Sequence, residues 1–327
     1  MNIIWENFKM NGKFDNFLDS VDFWINSFLV EISAKNYSKN TISLYKRQIL
    51  KFSDFLYENY DNYEWKTLID LKQMHLYAFF VWLEEDIFKN TKEIIKNSTK
   101  KSYYRVISVF FRFINKNNDN LWDFDYLFQG FKLKVKKDTK KSVNFIQSDD
   151  ITKILNYLEK KMNENPSYMN YRNSLLVKLM CKAGLRVSEA LNLKLKDIEE
   201  CEDDCYELSI LAKGGNIQTA FIAKAYIEAE MQYLEAILKS DDYIFLTLNG
   251  TRLTRENVYK ILDNVYKNSL VKARGCHILR HSFAVEMVQN NTNLIVIQKA
   301  LRHKKLDTTL IYAEADNRIV RKEIGRL

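Results

Sequence analysis

Between residues 184 and 312 the chain sets cations, imidazoles and a phenol at short, regular spacings. In Gly184-Leu185-Arg186-Val187-Ser188-Glu189 the glycine can close one helix in the left-handed conformation and let another start at once. Arg186 then falls in a tight corner, with Glu189 three residues on and able to touch it. A helix–helix corner held by a structural ion pair fits the same residues. Lys213 stands in a glycine-rich turn, Ala212-Lys213-Gly214-Gly215-Asn216. There it is either solvated or delivered into a groove, where an ammonium can donate a proton to a leaving oxygen. In His277-Ile278-Leu279-Arg280-His281 a histidine and an arginine share a helix face at i and i+3, so both can reach one phosphate. Three of the four histidines lie within residues 277–303, which favours a common site over separate packing roles. Leu301-Arg302-His303 is followed nine residues later by Tyr312, one of nineteen tyrosines, whose ordinary place is half-buried packing.

The groups gain meaning together. Arg186, Lys213, His277, Arg280, His303 and Tyr312 follow one another at intervals of 27, 64, 3, 23 and 9 residues. This order resembles the tyrosine recombinase (phage integrase-like) family, whose site reads Arg, Lys, His-x-x-Arg, His or Trp, and Tyr. The local signatures GLRxSE, HxLRH and LxHxxxxTTxxY are all present. The resemblance covers the whole chain. The early sequence SKNTISLYKRQILKFSDFL is similar to the family's core-binding domain, and with no arm-binding module before it the compact, single-recombinase Xer-type members are the nearest group.

That resemblance implies a mainly α fold: an N-terminal helical bundle (SAM-like, core-binding) and a mixed α/β catalytic domain with a small β-hairpin sheet. It implies a site-specific DNA recombinase that cleaves and rejoins duplex DNA through a 3′-phosphotyrosyl intermediate. Tyr312 would be the nucleophile. Arg186 and Arg280 would clamp the charge developing on the phosphate, a role a divalent cation fills elsewhere, so neither metal nor other cofactor is expected. By the same resemblance Lys213 is the general acid, His277 assists proton transfer, His303 hydrogen-bonds the transition state and Glu189 supports Arg186. The expected partners are duplex DNA with an inverted-repeat site, a second copy on each site with four in the synapse, and a DNA translocase as a candidate. Chromosome dimer resolution is the expected role. An integrase of a phage, integron or transposon shares the chemistry, as does a type IB topoisomerase, which the short helical N-terminal region disfavours. A DNA-binding protein without catalysis is opposed by the intact set of six. One position departs from the family: Arg302 stands where glycine usually precedes the second histidine. Either the turn differs or Arg302 adds a phosphate contact.

The elements that must position these groups fall into two regions. Residues 1–130 read as helical, a bundle of about four helices. Ile42, Tyr45, Ile49, Phe52 and Leu56 recur three and four apart on one face, behind a candidate N-cap at Ser38. Residues 71–86 and 102–114 continue the pattern. Residues 131–145 read as a basic linker, and 146–327 as the catalytic domain with a C-terminal tail. In the latter, Ser148 is a candidate cap, with Asp149 and Asp150 suited to the helix dipole. A helix ends near Gly184, strands at 206–211 and 218–223 form a hairpin, and helices resume at 224–239, 254–268, 277–290 and 293–303.

The net charge of +8 is unevenly placed. Residues 1–131 carry 17 basic and 17 acidic side chains, and 132–327 carry 33 and 25. Six lysines, Lys132, Lys134, Lys136, Lys137, Lys140 and Lys141, stand within ten residues against one aspartate. Such a run is a solvated spacer or a phosphate-binding strap. The N-terminus lacks a signal-peptide pattern and no run of about eighteen apolar residues occurs, so a soluble cytoplasmic, nucleoid-associated protein is expected. Cys201 and Cys205 flank three acidic residues without the further ligands of a metal clip. All four cysteines read as free thiols in a reducing compartment.

Overall fold

A computed structural model describes residues 14, 16–133, 144–211 and 215–314. It divides the chain into two compact units, Met1–Thr139 and Lys140–Leu327.

The first unit packs four helices: α1 (Phe17–Ala34), α2 (Lys39–Asn59), α3 (Gln73–Thr91) and α4 (Asn97–Asn117). Ser38 caps α2 as expected, its hydroxyl accepting the Thr41 N–H at 3.3 Å. Ile49, Phe52 and Leu56 are fully buried, while Ile42 and Tyr45 pack at the edge of the same core. The core is largely aromatic. Phe52 meets Phe79 edge-on at 5.1 Å, and Phe28 meets Phe110 at 5.4 Å, the offset geometry that ring quadrupoles favour. The bundle reaches further than expected. Phe131 stacks on Tyr77 at 4.4 Å and on Tyr104 at 5.3 Å, and Leu133 packs beside it. Residues 131–133, read as linker, therefore belong to this core, because their apolar side chains outweigh the flanking lysines.

The second unit holds α5 (Ser148–Glu164), α6 (Tyr168–Lys182), the single turn α7 (Val187–Ala190), strands β1 (Ile198–Cys201), β2 (Cys205–Leu211) and β3 (Ile217–Ala223), then α8 (Lys224–Glu235), α9 (Arg255–Asn268), α10 (His277–Gln289), α11 (Leu294–Ala300) and α12 (Asp307–Glu314). The strands form an antiparallel sheet in sequence order. Tyr206, Leu208 and Ile210 point inward from β2, and Ala220 and Ile222 from β3. β1 escaped the sequence reading because IEEC buries only its first residue and shows no alternation. The helix cap at Ser148 is a correction: Gln147 is the extended N-cap residue and Ser148 already lies inside α5. Asp149 and Asp150 do occupy the first turn.

The cysteines require a second correction. Cys201 and Cys205 are joined in a disulfide, with Cα atoms 5.4 Å apart. They face each other directly in the β1–β2 register. The turn between them places Asp203 and Asp204 at positive φ, a conformation aspartate tolerates better than most residues. Only Cys181 and Cys276 are free, and both are buried. Among the described residues no helix is long and apolar enough to cross a membrane.

Candidate active site

The corner at Gly184 is built as its sequence suggests. Its φ is +61°, and a Cβ there would stand 2.5 Å from the Phe283 ring, so both conformation and space demand glycine. Arg186 follows as the N-cap residue of α7. The Glu189 carboxylate accepts the Arg186 backbone N–H at 2.8 Å and its guanidinium at 2.5 Å. One acidic side chain thus caps the short helix and aims the arginine. The Arg186 side chain is 38% exposed, the most open of the three guanidiniums around Glu189.

Arg280, on α10, lies behind it with a side chain only 5% exposed. It donates to the carbonyl oxygens of Gly184 and Leu301, tying the α6–α7 corner to the end of α11. Its Nη1 is 3.7 Å from Glu189. Burial, then the charges of Arg186 and Arg302, push its pKa down. Arg186 thus faces out, and Arg280 organises the backbone behind it.

Arg302 answers the question its position raised. It keeps the left-handed turn, with φ +53°. Its buried guanidinium faces inward, 2.9 Å from Glu189 and donating to the carbonyls of Gly184 at 3.1 Å and Ala300 at 2.8 Å. It is committed to protein groups rather than left open to a phosphate. Glu189, buried among these arginines, has its pKa lowered: Arg302 and the Arg186 bonds outweigh desolvation.

His277 opens α10, and its Nε2 is 2.9 Å from Arg255 Nη2. Burial first, then Arg255, Arg280 and Arg186, lower its pKa. His303 sits just after α11, with Nδ1 3.0 Å from the Thr309 hydroxyl. Burial and the neighbouring arginines push its pKa down to about 4. Tyr312 projects from α12 and is 2% exposed. Its ring lies nearly parallel to that of His303, centroids 6.4 Å apart, and its hydroxyl is 2.7 Å from His281 Nδ1. Burial raises the phenol's pKa, and Arg280 and Arg186 oppose the rise.

The structure thus brings Arg186, Glu189, His277, Arg280, His303 and Tyr312 into one half of the second unit. Lys213 lies outside the described residues, as do Lys134, Lys136, Lys137, Lys140 and Lys141. Lys132 is described and exposed at the end of the bundle. Among the described residues no group of His, Cys, Asp or Glu is arranged to hold a metal ion.

Sequence reasoning missed two site residues. His281 carried a signal, since it stands four residues after His277 on one helix face. Arg255 carried none, standing 22 residues before His277 and outside every motif. A third omission lies in the first unit, where Lys101, Tyr104, Arg105, Ser108 and Arg112 on α4 line a groove with Asp125 and Phe128. The balanced charge of residues 1–131 concealed this basic stripe.

Residues 144–318 match the model of the phage integrase family. The chain belongs to that family. Similar family members include tyrosine recombinase XerH of Campylobacter jejuni, 29% identical over 229 residues (68% of this chain), and XerH of Helicobacter pylori, 28% identical over 229 residues (67% of this chain). The matched segments span 64% and 62% of those relatives' own lengths. Among solved structures, XerH bound to its palindromic difH substrate in a post-cleavage complex superposes with a TM-score of 0.72. It is 26% identical and covers 89% of this chain and 81% of its own. The mostly helical architecture with its small antiparallel sheet is the fold expected for a tyrosine recombinase.

Proposed function

We propose that this phage integrase family member is a site-specific recombinase of Xer type, cleaving and rejoining duplex DNA through a phosphotyrosyl bond at Tyr312. One observation carries the reading: the Tyr312 hydroxyl is buried against the His281 imidazole, with the His303 ring nearby, in the field of a carboxylate-held arginine that opens to solvent. A phosphodiester bound at Arg186 meets a fixed cation where charge develops on the non-bridging oxygens, and preorganised charge of this kind is commonly the largest catalytic contribution. Arg280 and Glu189 keep that cation in place. Attack by Tyr312 forms the P–O bond to the phenol and releases the 5′-oxygen. Lys213 is the proposed donor of the proton that oxygen takes. His277 and His303 would flank the transition state. The covalent link retains the bond energy, so a second 5′-hydroxyl reverses the step without ATP.

The similarity to XerH bound to difH supports duplex DNA with an inverted-repeat site as substrate, and chromosome dimer resolution as role. Two copies per site, four in the synapse and a translocase that triggers exchange belong to the same reading, as does a cytoplasmic, nucleoid-associated location. The groove along α4 and the lysines of 132–141 are the proposed phosphate contacts outside the catalytic centre. The test is a nicked suicide duplex built from the host's candidate dimer-resolution site. Wild type should form a covalent adduct visible on denaturing gels, and Tyr312→Phe should bind the duplex without forming one. An adduct that survives in Tyr312→Phe refutes the assignment of the nucleophile.

A further inference from the structure

His277 and His281 lie one helical turn apart on α10, yet only one of them touches the phenol. The Tyr312 hydroxyl is 2.7 Å from His281 Nδ1. The phenol donates to Nδ1 in the tautomer that carries the imidazole proton on Nε2, and accepts from Nδ1 in the other; proton transfer from Tyr312 uses the first. The other two imidazoles of the site make different bonds. His277 Nε2 faces the Arg255 guanidinium at 2.9 Å, which has no acceptor to offer and so occupies that lone pair. His303 Nδ1 is bonded to Thr309 at 3.0 Å. The arginines cannot accept a proton, and the burial of Tyr312 keeps bulk water from doing so.

We propose that His281 is a catalytic residue, the acceptor of the Tyr312 proton as the phenolic oxygen attacks phosphorus. The inference rests on Tyr312 being the nucleophile. In the step, the Oη–H bond breaks as Nδ1–H forms, the Oη–P bond forms, and the P–O5′ bond breaks with its electron pair leaving on the 5′-oxygen. That oxygen is protonated separately, by Lys213 in the reading above. In the reverse step Nδ1 returns its proton to the departing phenol. Burial, then His277 and Arg280, hold the His281 pKa below the ordinary imidazole value, so it is neutral and able to accept at pH 7. The charged and titratable groups facing it are His277 and Arg280 from its own helix, His303 from the end of α11 and Tyr312 from α12. A bound phosphate adds negative charge beside this group and favours the imidazolium formed in the step.

The experiment measures single-turnover cleavage of the nicked suicide duplex by the full chain, with DNA binding followed in parallel. His281→Ala and His281→Asn should bind as wild type does and form adduct about 10²–10⁴-fold more slowly, the usual contribution of a positioned base. Asparagine keeps an acceptor near the phenol but cannot take its proton, so it separates chemistry from placement. Both variants should lose the inflection in the pH–rate profile at which wild-type cleavage rises with pH. A 5′-bridging sulfur should restore neither variant, because the defect lies on the attacking oxygen and not on the leaving one. Wild-type or faster cleavage by His281→Asn, or rescue of either variant by the sulfur substrate, overturns the proposal. Adduct formation by Tyr312→Phe would instead sink the nucleophile assignment beneath it, so the two failures are distinguishable.

Discussion

Replacing Arg302 by glycine sets two physical effects against each other. In its favour, glycine removes the strain of a left-handed arginine, about 1 kcal/mol. It also removes a buried Nε that finds no hydrogen-bond partner among the described residues, worth about 1 kcal/mol. Against it, glycine loosens the unfolded chain by about 0.7 kcal/mol. It also strips Glu189 of the guanidinium 2.9 Å from its Oε2. Removing one partner of a buried ion pair typically costs about 3–5 kcal/mol. Both side chains here are almost fully buried, so solvent screening is slight. Glu189 keeps its two bonds to Arg186 and has Arg280 at 3.7 Å, so the low end applies. The balance is a destabilisation of about 2 kcal/mol, and with a urea dependence of about 2 kcal/mol per molar the midpoint should fall by about 1 M. Urea titrations followed by circular dichroism would measure it. A midpoint that rises in Arg302→Gly would mean that backbone strain dominates and that Glu189 is held without Arg302.

Three other predictions follow from named groups. Lys213→Ala should slow strand cleavage by about 10²–10⁴-fold with little loss of binding, and a 5′-bridging sulfur should rescue it; failure of rescue in a variant that binds removes Lys213 from the acid role. His303, whose folded pKa lies near 4 against the ordinary 6.5, stays neutral where the unfolded chain is protonated. Its contribution to stability is therefore complete above pH 6.5 and lost as pH falls towards 4, and His303→Gln should flatten that part of the stability–pH curve. Neutralising Lys134, Lys136 and Lys137 together should flatten the slope of log affinity against log salt by at most about 2.7, with sequence preference unchanged; an unchanged slope makes the run a spacer.

Much of the fold was legible because its signals are local. Three of the four N-terminal helices follow from apolar periodicity, and the hairpin of β2 and β3 from alternation flanking glycines. What escaped was set by partners distant in sequence. Residues 131–133 read as charged linker until Tyr77 and Tyr104 gave Phe131 something to stack on. The Cys201–Cys205 disulfide depends on β1, whose single buried residue offers no pattern. Within the site, motif spacing identified the groups but not their orientation. The two arginines read together as a clamp divide into a part-exposed one and a buried one. His281 was quoted inside a motif yet given no role, because its partner Tyr312 lies 31 residues away on another helix.

The charge arrangement itself argues for an anion. Arg186, Arg280 and Arg302 share a single carboxylate, Glu189, leaving about two positive charges uncompensated within this cluster. Buried guanidiniums without counter-charge are expensive. The chain limits that expense by giving Arg280 and Arg302 backbone carbonyls from Gly184, Ala300 and Leu301. These carbonyls are neutral, so the excess charge remains, and it finds an outlet at Arg186, the guanidinium most open to solvent. A phosphate arriving there meets a field already in place and requires no rearrangement of the arginines behind it. Burial first, and the same excess of positive charge after it, lower the pKa values of all three imidazoles in the cluster. Surrounded by fixed cations they stay neutral, the state in which an imidazole can accept a proton from a phenol.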